Sequence, residues 1–413
     1  MNQLQFELTT IDNALRRGTL NFTNKNKIIQ TPACIAYTLR GSVPHLIADN
    51  LKLLPVDMVH VALEHFVEQK EPPSFKYPQG LHRYINLPDH LIFCDVRDAS
   101  KLAPVAANTE KYVAVDTHGG VRRVTTDLWK QAITAYKPDW CATPADVVKA
   151  GEDIKTKRIK KSVDRTLRWL DDCLASSATD NTPVFGPVVG FHNQEERVRS
   201  ATETAQREQL AGFVLNAFEL DKDVRMDLLK TSLDHLPVNK PRLAYGLSTP
   251  ESILQGVAQG IDLFDGSYAY KMTERGRAIT FKFGEHMSAP KEGEKPEKSL
   301  NLWDTQLAQN FDTLDSSCGC YTCTTPHTKA YIHHLLNAHE MLGPLLLMMH
   351  NVYQLEEFMS AIRKSMENKT FATDTDAFMI KYNHDKEGSG MEGHEDEIDF
   401  ESLGSPIKKN RIL

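Results

Sequence analysis

Three of the seven cysteines in this 413-residue chain fall within six positions, Cys318-Gly-Cys320-Tyr-Thr-Cys323. Thiolates bind zinc well, and a structural zinc site wants four N or S donors in a tetrahedron. The C-x-C-x-x-C spacing can bring three sulfurs onto one ion, with Gly319 easing the tight turn. The fourth donor must come from an ordered element nearby, and five histidines follow: His327, His333, His334, His339 and His350. Helical phase separates them without deciding between them. Ile332, Leu335, Leu336 and Leu342 form the apolar stripe of one helix, with His333 and His334 at its flanks. His350 lies in a second helix, 27 residues past Cys323, beside Leu346 and Tyr353. Spacing alone leaves all five open. An ion held by four protein donors has no free position, so such a site is structural rather than catalytic. No local signature of a paired base marks any of these thiols as a nucleophile.

The other cysteines are scattered singly and the total is odd, which argues against a disulfide framework. The opening MNQLQFELTTIDNALRRGTL lacks the apolar core and cleavage site of a secretory signal. The longest apolar run, MLGPLLLMM at 341–349, is too short to span a bilayer. An intracellular protein with reduced thiols is expected. A formal charge of −7 gives no general drive toward nucleic acid, so any RNA contact needs a local basic patch or a partner's surface. The stretch KTKRIKKSVDRTLR (155–168) is one candidate for phosphate contact, although most such runs are the wet face of a helix.

The elements that would carry these residues alternate. Apolar, β-branched runs predict strands at 56–63, 90–96, 112–117, 138–143, 184–191, 212–220, 242–247 and 260–268. Amphipathic helices are predicted at 125–136, 163–177, 195–210 and 249–260. Eight strands alternating with helices over roughly 250 residues is the rhythm of an α/β fold of the (β/α)₈ TIM-type barrel class, although a doubly wound open sheet alternates in the same way. Two stretches break the rhythm. Residues 286–301 are rich in Lys, Glu and Pro and read as an exposed loop. Residues 384–413 are acidic and Gly/Ser-rich, end in KKNRIL, and read as a disordered tail.

The segment C-x-C-x-x-C followed by KAYIHHLLNAHEMLGPLLLMMHN resembles the zinc-binding segment of tRNA-guanine transglycosylases. RRGTLNF (16–22), TPACIAYT (31–38), GLHRYINLP (80–88), DRTLRWLDDC (164–173) and RLAYGLSTPESILQGVAQGIDLFD (242–265) are similar as well. The resemblance implies that His350, the histidine of the HN pair, joins Cys318, Cys320 and Cys323 around one structural Zn²⁺. It implies a barrel over 1–383, with a zinc-binding subdomain at about 302–367 inserted near its C-terminal part.

Members of that family exchange guanine at the tRNA wobble position, in eukaryotes for queuine. The chemistry needs a carboxylate nucleophile for the ribose, a second carboxylate for proton transfer, and a pocket for a flipped base. The family's FDCVLPTR is FDGSYAYK here: Asp265 matches the nucleophile, and Lys271 stands at the arginine position. DSGGFQ becomes DVRDAS, so Asp95 matches while Val96, Arg97, Asp98 and Ala99 replace Ser-Gly-Gly-Phe. Paired glycines let backbone approach a flat ligand, and Arg and Asp put bulk and charge there instead. The base-reading aspartate of FDE falls in ATPADV, at Pro144 or a neighbour, with Asp146 only a shifted candidate. QGG becomes VVGF (188–191), and GGLAVGE becomes NAFELD (216–221).

An eroded pocket beside an intact zinc segment resembles the non-catalytic accessory subunit within this family. The expectation is therefore a chain with no catalytic residues of its own, Asp265 and Asp95 being vestigial. It would form a heterodimer with a catalytic subunit of the same fold and help to position tRNA; bacterial members form homodimers, so self-association is a further pairing. The same resemblance implies a cytoplasmic protein with peripheral association at the mitochondrial outer membrane. The rival expectation is an active transglycosylase with an altered pocket, using Asp265 as nucleophile.

Overall fold

Eight parallel strands close into a barrel in the computed structural model, which describes residues 3–382 apart from 13, 70, 102–105, 118, 150–153, 219 and 288–295. The chain opens with an antiparallel sheet of β1 (Leu4–Asp12), β2 (Leu15–Phe22) and β3 (Lys27–Thr31). The barrel begins with β4 (Ala33–Tyr37), β5 (Met58–Ala62) and β6 (Leu91–Asp95). A hairpin of β7 (Val113–Thr117) and β8 (Gly120–Val124) stands outside it. The barrel resumes with β9 (Trp140–Ala142), β10 (Val184–Val188), β11 (Gly212–Asn216), β12 (Arg242–Tyr245) and β13 (Leu263–Asp265), and β13 pairs back onto β4.

Helices return the chain between strands: α1 (Ala48–Leu51), α2 (Gly80–Tyr84), α3 (Thr126–Tyr136), α4 (Thr156–Leu174), α5 (Gln194–Ala205), α6 (Lys222–Leu233), α7 (Pro250–Ala258) and α8 (Ser267–Glu274). Beyond them β14 (Arg277–Ile279) pairs with β15 (Ser299–Asn301). A lobe follows with α9 (Tyr321–Thr324), α10 (Lys329–Asn337) and α11 (Leu342–Glu367), and α12 (Phe371–Tyr382) packs behind it.

The expected barrel is therefore present, with seven of the eight predicted strands in it. The exception is 112–117, which forms β7: it is buried from Val113 to Val115, but Asp116 is exposed where the strand runs into the hairpin turn. Its place is taken by β4, ACIAY, buried along its whole length but short and alanine-rich, with no alternation to announce it. The strand predicted at 260–268 ends at Asp265, and α8 starts two residues later. Part of the predicted 286–301 loop and all of the 384–413 tail lie outside the described residues; within the loop, Ser299–Asn301 forms β15.

Alternation fills the barrel. Every second residue of a strand faces the same side, and Met58, Leu91, Phe93, Trp140, Phe185, Leu243 and Leu263 share one buried cluster. Phe93, Trp140 and Phe185 meet at ring centroids of 4.6, 4.9 and 6.1 Å. Leu4, Leu20, Phe22 and Ile29 of the first sheet belong to the same cluster, so that sheet closes the barrel floor, with Phe22 edge-on to Trp140 at 5.6 Å. The same alternation carries Asp95 inward above Phe93 and Asp265 inward above Leu263, both at the C-terminal ends of their strands, where barrel enzymes keep their chemistry.

A buried ion pair fastens the floor. Arg16 of β2 donates from Nε to Asp262 Oδ1 at 2.9 Å, and Asp262 Oδ2 accepts the Arg242 amide at 2.8 Å. Removing one partner of a buried pair strands the other charge. Arg16→Met is expected to lower the unfolding free energy by about 3–5 kcal/mol in a urea titration; an unchanged midpoint would show the pair to be dispensable.

Candidate metal centre and barrel mouth

The three cysteines and one histidine converge. His350 Nδ1 lies 3.7 Å from Cys318 Sγ, 3.5 Å from Cys320 Sγ and 3.4 Å from Cys323 Sγ. A tetrahedral zinc ion with Zn–S about 2.3 Å and Zn–N about 2.0–2.1 Å would put sulfur and nitrogen about 3.5–3.6 Å apart. All four side chains are buried, and their donor atoms lie within 4.8 Å of one another. Geometry and donor chemistry thus fit one metal ion and are compatible with zinc.

Local structure sets each donor. Cys320 caps α9 and donates its amide to Cys318 Sγ at 3.4 Å, while the Cys323 amide reaches Cys320 O at 3.1 Å. A side chain at Gly319 would have its Cβ 2.7 Å from Tyr353 Oη, so Tyr353 would have to move to admit one. Thr322 Oγ1 donates to Leu346 O at 2.6 Å and fastens α9 to α11. His350 Nε2 donates to Ile279 O at 2.8 Å, which fixes the tautomer and leaves the Nδ1 lone pair for the metal. Asn351 takes the other side of the same residue: its Oδ1 accepts the Ile279 amide at 2.8 Å, and its Nδ2 donates to Thr273 Oγ1 and Arg277 O, each at 2.9 Å.

The remaining histidines are elsewhere. His333 bonds Leu302 O at 2.8 Å, His327 stacks on Tyr331, and His334 and His339 are exposed. His350 is the histidine that completes the cluster. Asn351 went unrecognised as its positioning residue, although the HN pair was visible in the sequence.

At the barrel mouth the two retained aspartates both act on Tyr245. Asp95 lines a cavity with Arg97, Asp98, Thr143, Asn216 and Tyr245, whereas Asp265 is not among its lining residues. Asp265 is 3% exposed and precedes α8 by two residues, its Oδ1 accepting from Ser267 Oγ at 2.5 Å and Ser267 N at 3.3 Å while its Oδ2 is buried without a partner. Burial pushes its carboxyl up, opposed by Lys271 and by Ser267. Burial also pushes Asp95 up, to about 6, opposed by the Val96 amide and by Tyr245.

The residues that follow Asp95 are held in an ionic network. Asp98 Oδ2 accepts from Tyr37 Oη at 2.8 Å and His65 Nε2 at 3.0 Å, and the Ser100 amide reaches Oδ1 at 2.8 Å. Burial alone would raise the Asp98 carboxyl, but His65, Lys101 and Ser100 hold it well below the usual range. Glu64 beside it is pushed up to about 7 by burial and by Asp98. Glu64, His65 and Asp98 lie close enough together to ligate a metal, but the Lys101 ammonium sits 3.6 Å from Asp98 and 3.8 Å from Glu64 and supplies the positive charge. His65 Nδ1 accepts the Arg40 amide at 3.2 Å. No sequence signal marked this group, because it joins two loops that follow different strands.

Asp146 does not reach the cavity as a base reader. Arg158 grips it with two bonds of 2.8 and 2.6 Å, Arg165 adds one of 3.0 Å, and Asn108 Nδ2 one of 2.7 Å. Two arginines of the basic stretch are thereby turned inward, and Arg168 pairs with Glu110 at 2.7 Å. Lys155, Lys157, Lys160 and Lys161 stay exposed.

The family model described as queuine tRNA-ribosyltransferase matches residues 12–384. The chain belongs to this family. It is similar to Queuine tRNA-ribosyltransferase accessory subunit 2 of Xenopus tropicalis, 32% identical over 403 residues that cover 88% of this chain and 96% of that protein. The protein of the same name from Homo sapiens is 32% identical over 408 residues, covering 89% and 97%. That of Danio rerio is 32% identical over 400 residues, covering 88% and 95%. Family membership accounts for the barrel and for the cysteine–histidine cluster on its C-terminal lobe.

His350→Ala removes the nitrogen donor and the bond to Ile279 together. Metal content of the purified variant, measured by plasma mass spectrometry, is expected to fall to a small fraction of the parent's, with a lower urea midpoint. Full metal content would refute the site.

Proposed function

We propose that this chain is the non-catalytic accessory subunit of a queuine tRNA-ribosyltransferase, pairing with a catalytic subunit of the same fold and helping to position tRNA. The observation that carries this reading is that side chains fill the barrel mouth where a flat base would need open backbone. A nucleophile and a proton-transfer group must reach one bound substrate. The positions that would admit a base are filled by Arg97 and by the Asp98 network, and Asp265 Oδ1 is taken by Ser267. The names of the relatives support the accessory role. The resident metal in this reading is one structural Zn²⁺ on Cys318, Cys320, Cys323 and His350, and its four protein donors leave no position for substrate.

Exposed aromatics on the metal lobe support pairing there. Phe311, Tyr321 and Tyr331 are exposed at 76%, 39% and 41%, and His327 stands between Tyr321 and Tyr331 with centroids at 5.8 and 6.2 Å. Aromatic clusters of this kind are enriched at protein interfaces. Lys155, Lys157, Lys160 and Lys161, near the start of α4 at the C-terminal face of the barrel, support a phosphate contact. The resemblance extends the reading to the cytoplasm and the mitochondrial outer membrane; no described helix is long and apolar enough to cross a membrane.

Retention of Asp265 and Asp95 at strand ends favours the second reading, an active transglycosylase with an altered pocket. Base exchange into tRNA separates the two. The purified chain alone is expected to be inactive, and a mixture with the catalytic subunit to be active, with Asp265→Ala changing neither result. Robust exchange by the chain alone, lost in Asp265→Ala, would establish the second reading.

The proposed face has its own test. Tyr331→Glu is expected to weaken binding to the catalytic subunit by about tenfold or more, as loss of an interface aromatic does, while leaving metal content unchanged. Undiminished binding would move the interface elsewhere.

A further inference from the structure

Arg97 sits two residues beyond β6 and lines the cavity at the barrel mouth. The other cation lining it, Lys101, lies beside Glu64 and Asp98. Arg97 has no carboxylate within ion-pairing distance among the described residues, although Glu64, Asp146 and Asp95 all act on it from farther away. One η nitrogen donates a long bond, 3.3 Å, to Asn108 Oδ1, an oxygen that already accepts the Ala114 amide at 2.9 Å. Its Nε is buried with no partner. A guanidinium carries five donors, and leaving them unmade in a half-buried place is costly.

The nearby acids are committed. Asp146 is held by Arg158, Arg165 and Asn108, Asp98 by Tyr37, His65 and Ser100, and Asp95 Oδ1 accepts the Val96 amide at 2.6 Å. A second donor lines the same cavity without a partner: the Thr143 hydroxyl is buried and unbonded. The walls are apolar, with Val113, Val147, Val188, Val214 and Phe218 among them. The enclosed space is about 50 Å³, which limits a buried ligand to a few heavy atoms.

We propose that this cavity binds a small organic acid, its carboxylate or phosphate held in the guanidinium fork of Arg97. The Thr143 hydroxyl donates to the same group, and a short branched chain lies against the valines. A planar fork matches a two-oxygen anion, and an apolar wall with a few convergent polar groups is the usual make-up of a small-molecule site. Its anion-holding group, Arg97, stands where the family has glycine, so the proposal does not rest on base exchange by this chain.

Calorimetric titration of the full chain tests it with three probes: isobutyrate, inorganic phosphate and the neutral isostere isobutyramide. At least one oxyanion is expected to bind with isobutyramide weaker by about tenfold or more, since charge assistance roughly doubles a hydrogen bond's strength. A carboxylate-only or phosphate-only result identifies the group and supports the site. Arg97→Met is expected to abolish the preference for the anion, Arg97→Lys to keep part of it, and Thr143→Val to reduce it. Unfolding midpoints of the variants separate lost binding from lost fold. The proposal is overturned if isobutyramide binds as tightly as isobutyrate, if folded Arg97→Met keeps the parent affinity, or if no oxyanion binds below about 10 mM.

Discussion

Ile279 is gripped from both sides by consecutive residues of one helix. Its carbonyl accepts from His350 Nε2 and its amide donates to Asn351 Oδ1, each at 2.8 Å. β14 and β15 form a sheet of only two short strands, whose edge groups would be costly if buried without partners. The grip satisfies those groups and at the same time aims Nδ1 of His350 at the three sulfurs. Asn351 also reaches Thr273 on α8, and Thr273 in turn bonds Ala269 O at 2.8 Å. The metal lobe, β14 and α8 are therefore set against one another by two adjacent side chains, and α8 is the helix whose first residue, Ser267, bonds Asp265.

The barrel mouth follows a different logic, in which acidic groups are neutralised where they stand. Asp98 is surrounded by a phenol, an imidazole and an ammonium, and Asp146 by two guanidinium groups and an amide. A carboxylate so satisfied orders the loop around it and has little capacity left for a ligand. Asp95 and Asp265 retain the inward direction that alternation along their strands imposes and both act on Tyr245, yet their own hydrogen bonds differ: the Val96 amide for one, Ser267 for the other. Shared direction is a property of the strand. Shared substrate access needs the loops, and here the loops carry side chains where a flat ligand would need open backbone.

Strands that bury bulky side chains were legible in the sequence, as in β5, β6 and β10, because a run of Val, Ile and Phe has few other uses. β4 was not, since Ala33, Ala36 and Cys34 leave little pattern, and it is identified only by the partners on either side, β13 and β5. β7 gave the opposite error: three buried residues made it look like barrel, while its exposed end is decided by a turn and by pairing with β8. The cysteine cluster was legible as three donors; spacing left the fourth open among five histidines and the resemblance pointed to His350, which the packing of α11 on β14 brings to the sulfurs while His333 is spent on Leu302 O. The role of Asp146 was illegible for a similar reason. Its partners Arg158 and Arg165 read as a wet basic face, and their inward turn depends on where α4 lies.

The lobe cannot be explained by its apolar contacts alone. Its cluster is small, with Leu302, Leu307, Leu314, Ile332, Leu335, Leu336, Leu346 and Leu347 around the cysteines themselves. α9 is a helix of four residues, far below the length that holds by itself in water. A small core of this kind generally needs a staple, and metal binding to donors that only folding brings together contributes directly to folding. The staple also reaches outward, because Tyr321 lies between Cys320 and Cys323 and packs near His327, which stacks on Tyr331. The aromatic face offered to a partner in the proposed heterodimer is thus built on the metal's own loop. α11 then leaves the lobe at Leu347 and enters the main core from Met348 to Ile362, so an ion on these four donors would order a surface on one side and be anchored to the barrel on the other. A face held in shape before contact loses less freedom on binding, which is the use such a metal would have in a chain whose barrel mouth carries Arg97 and the Asp98 network.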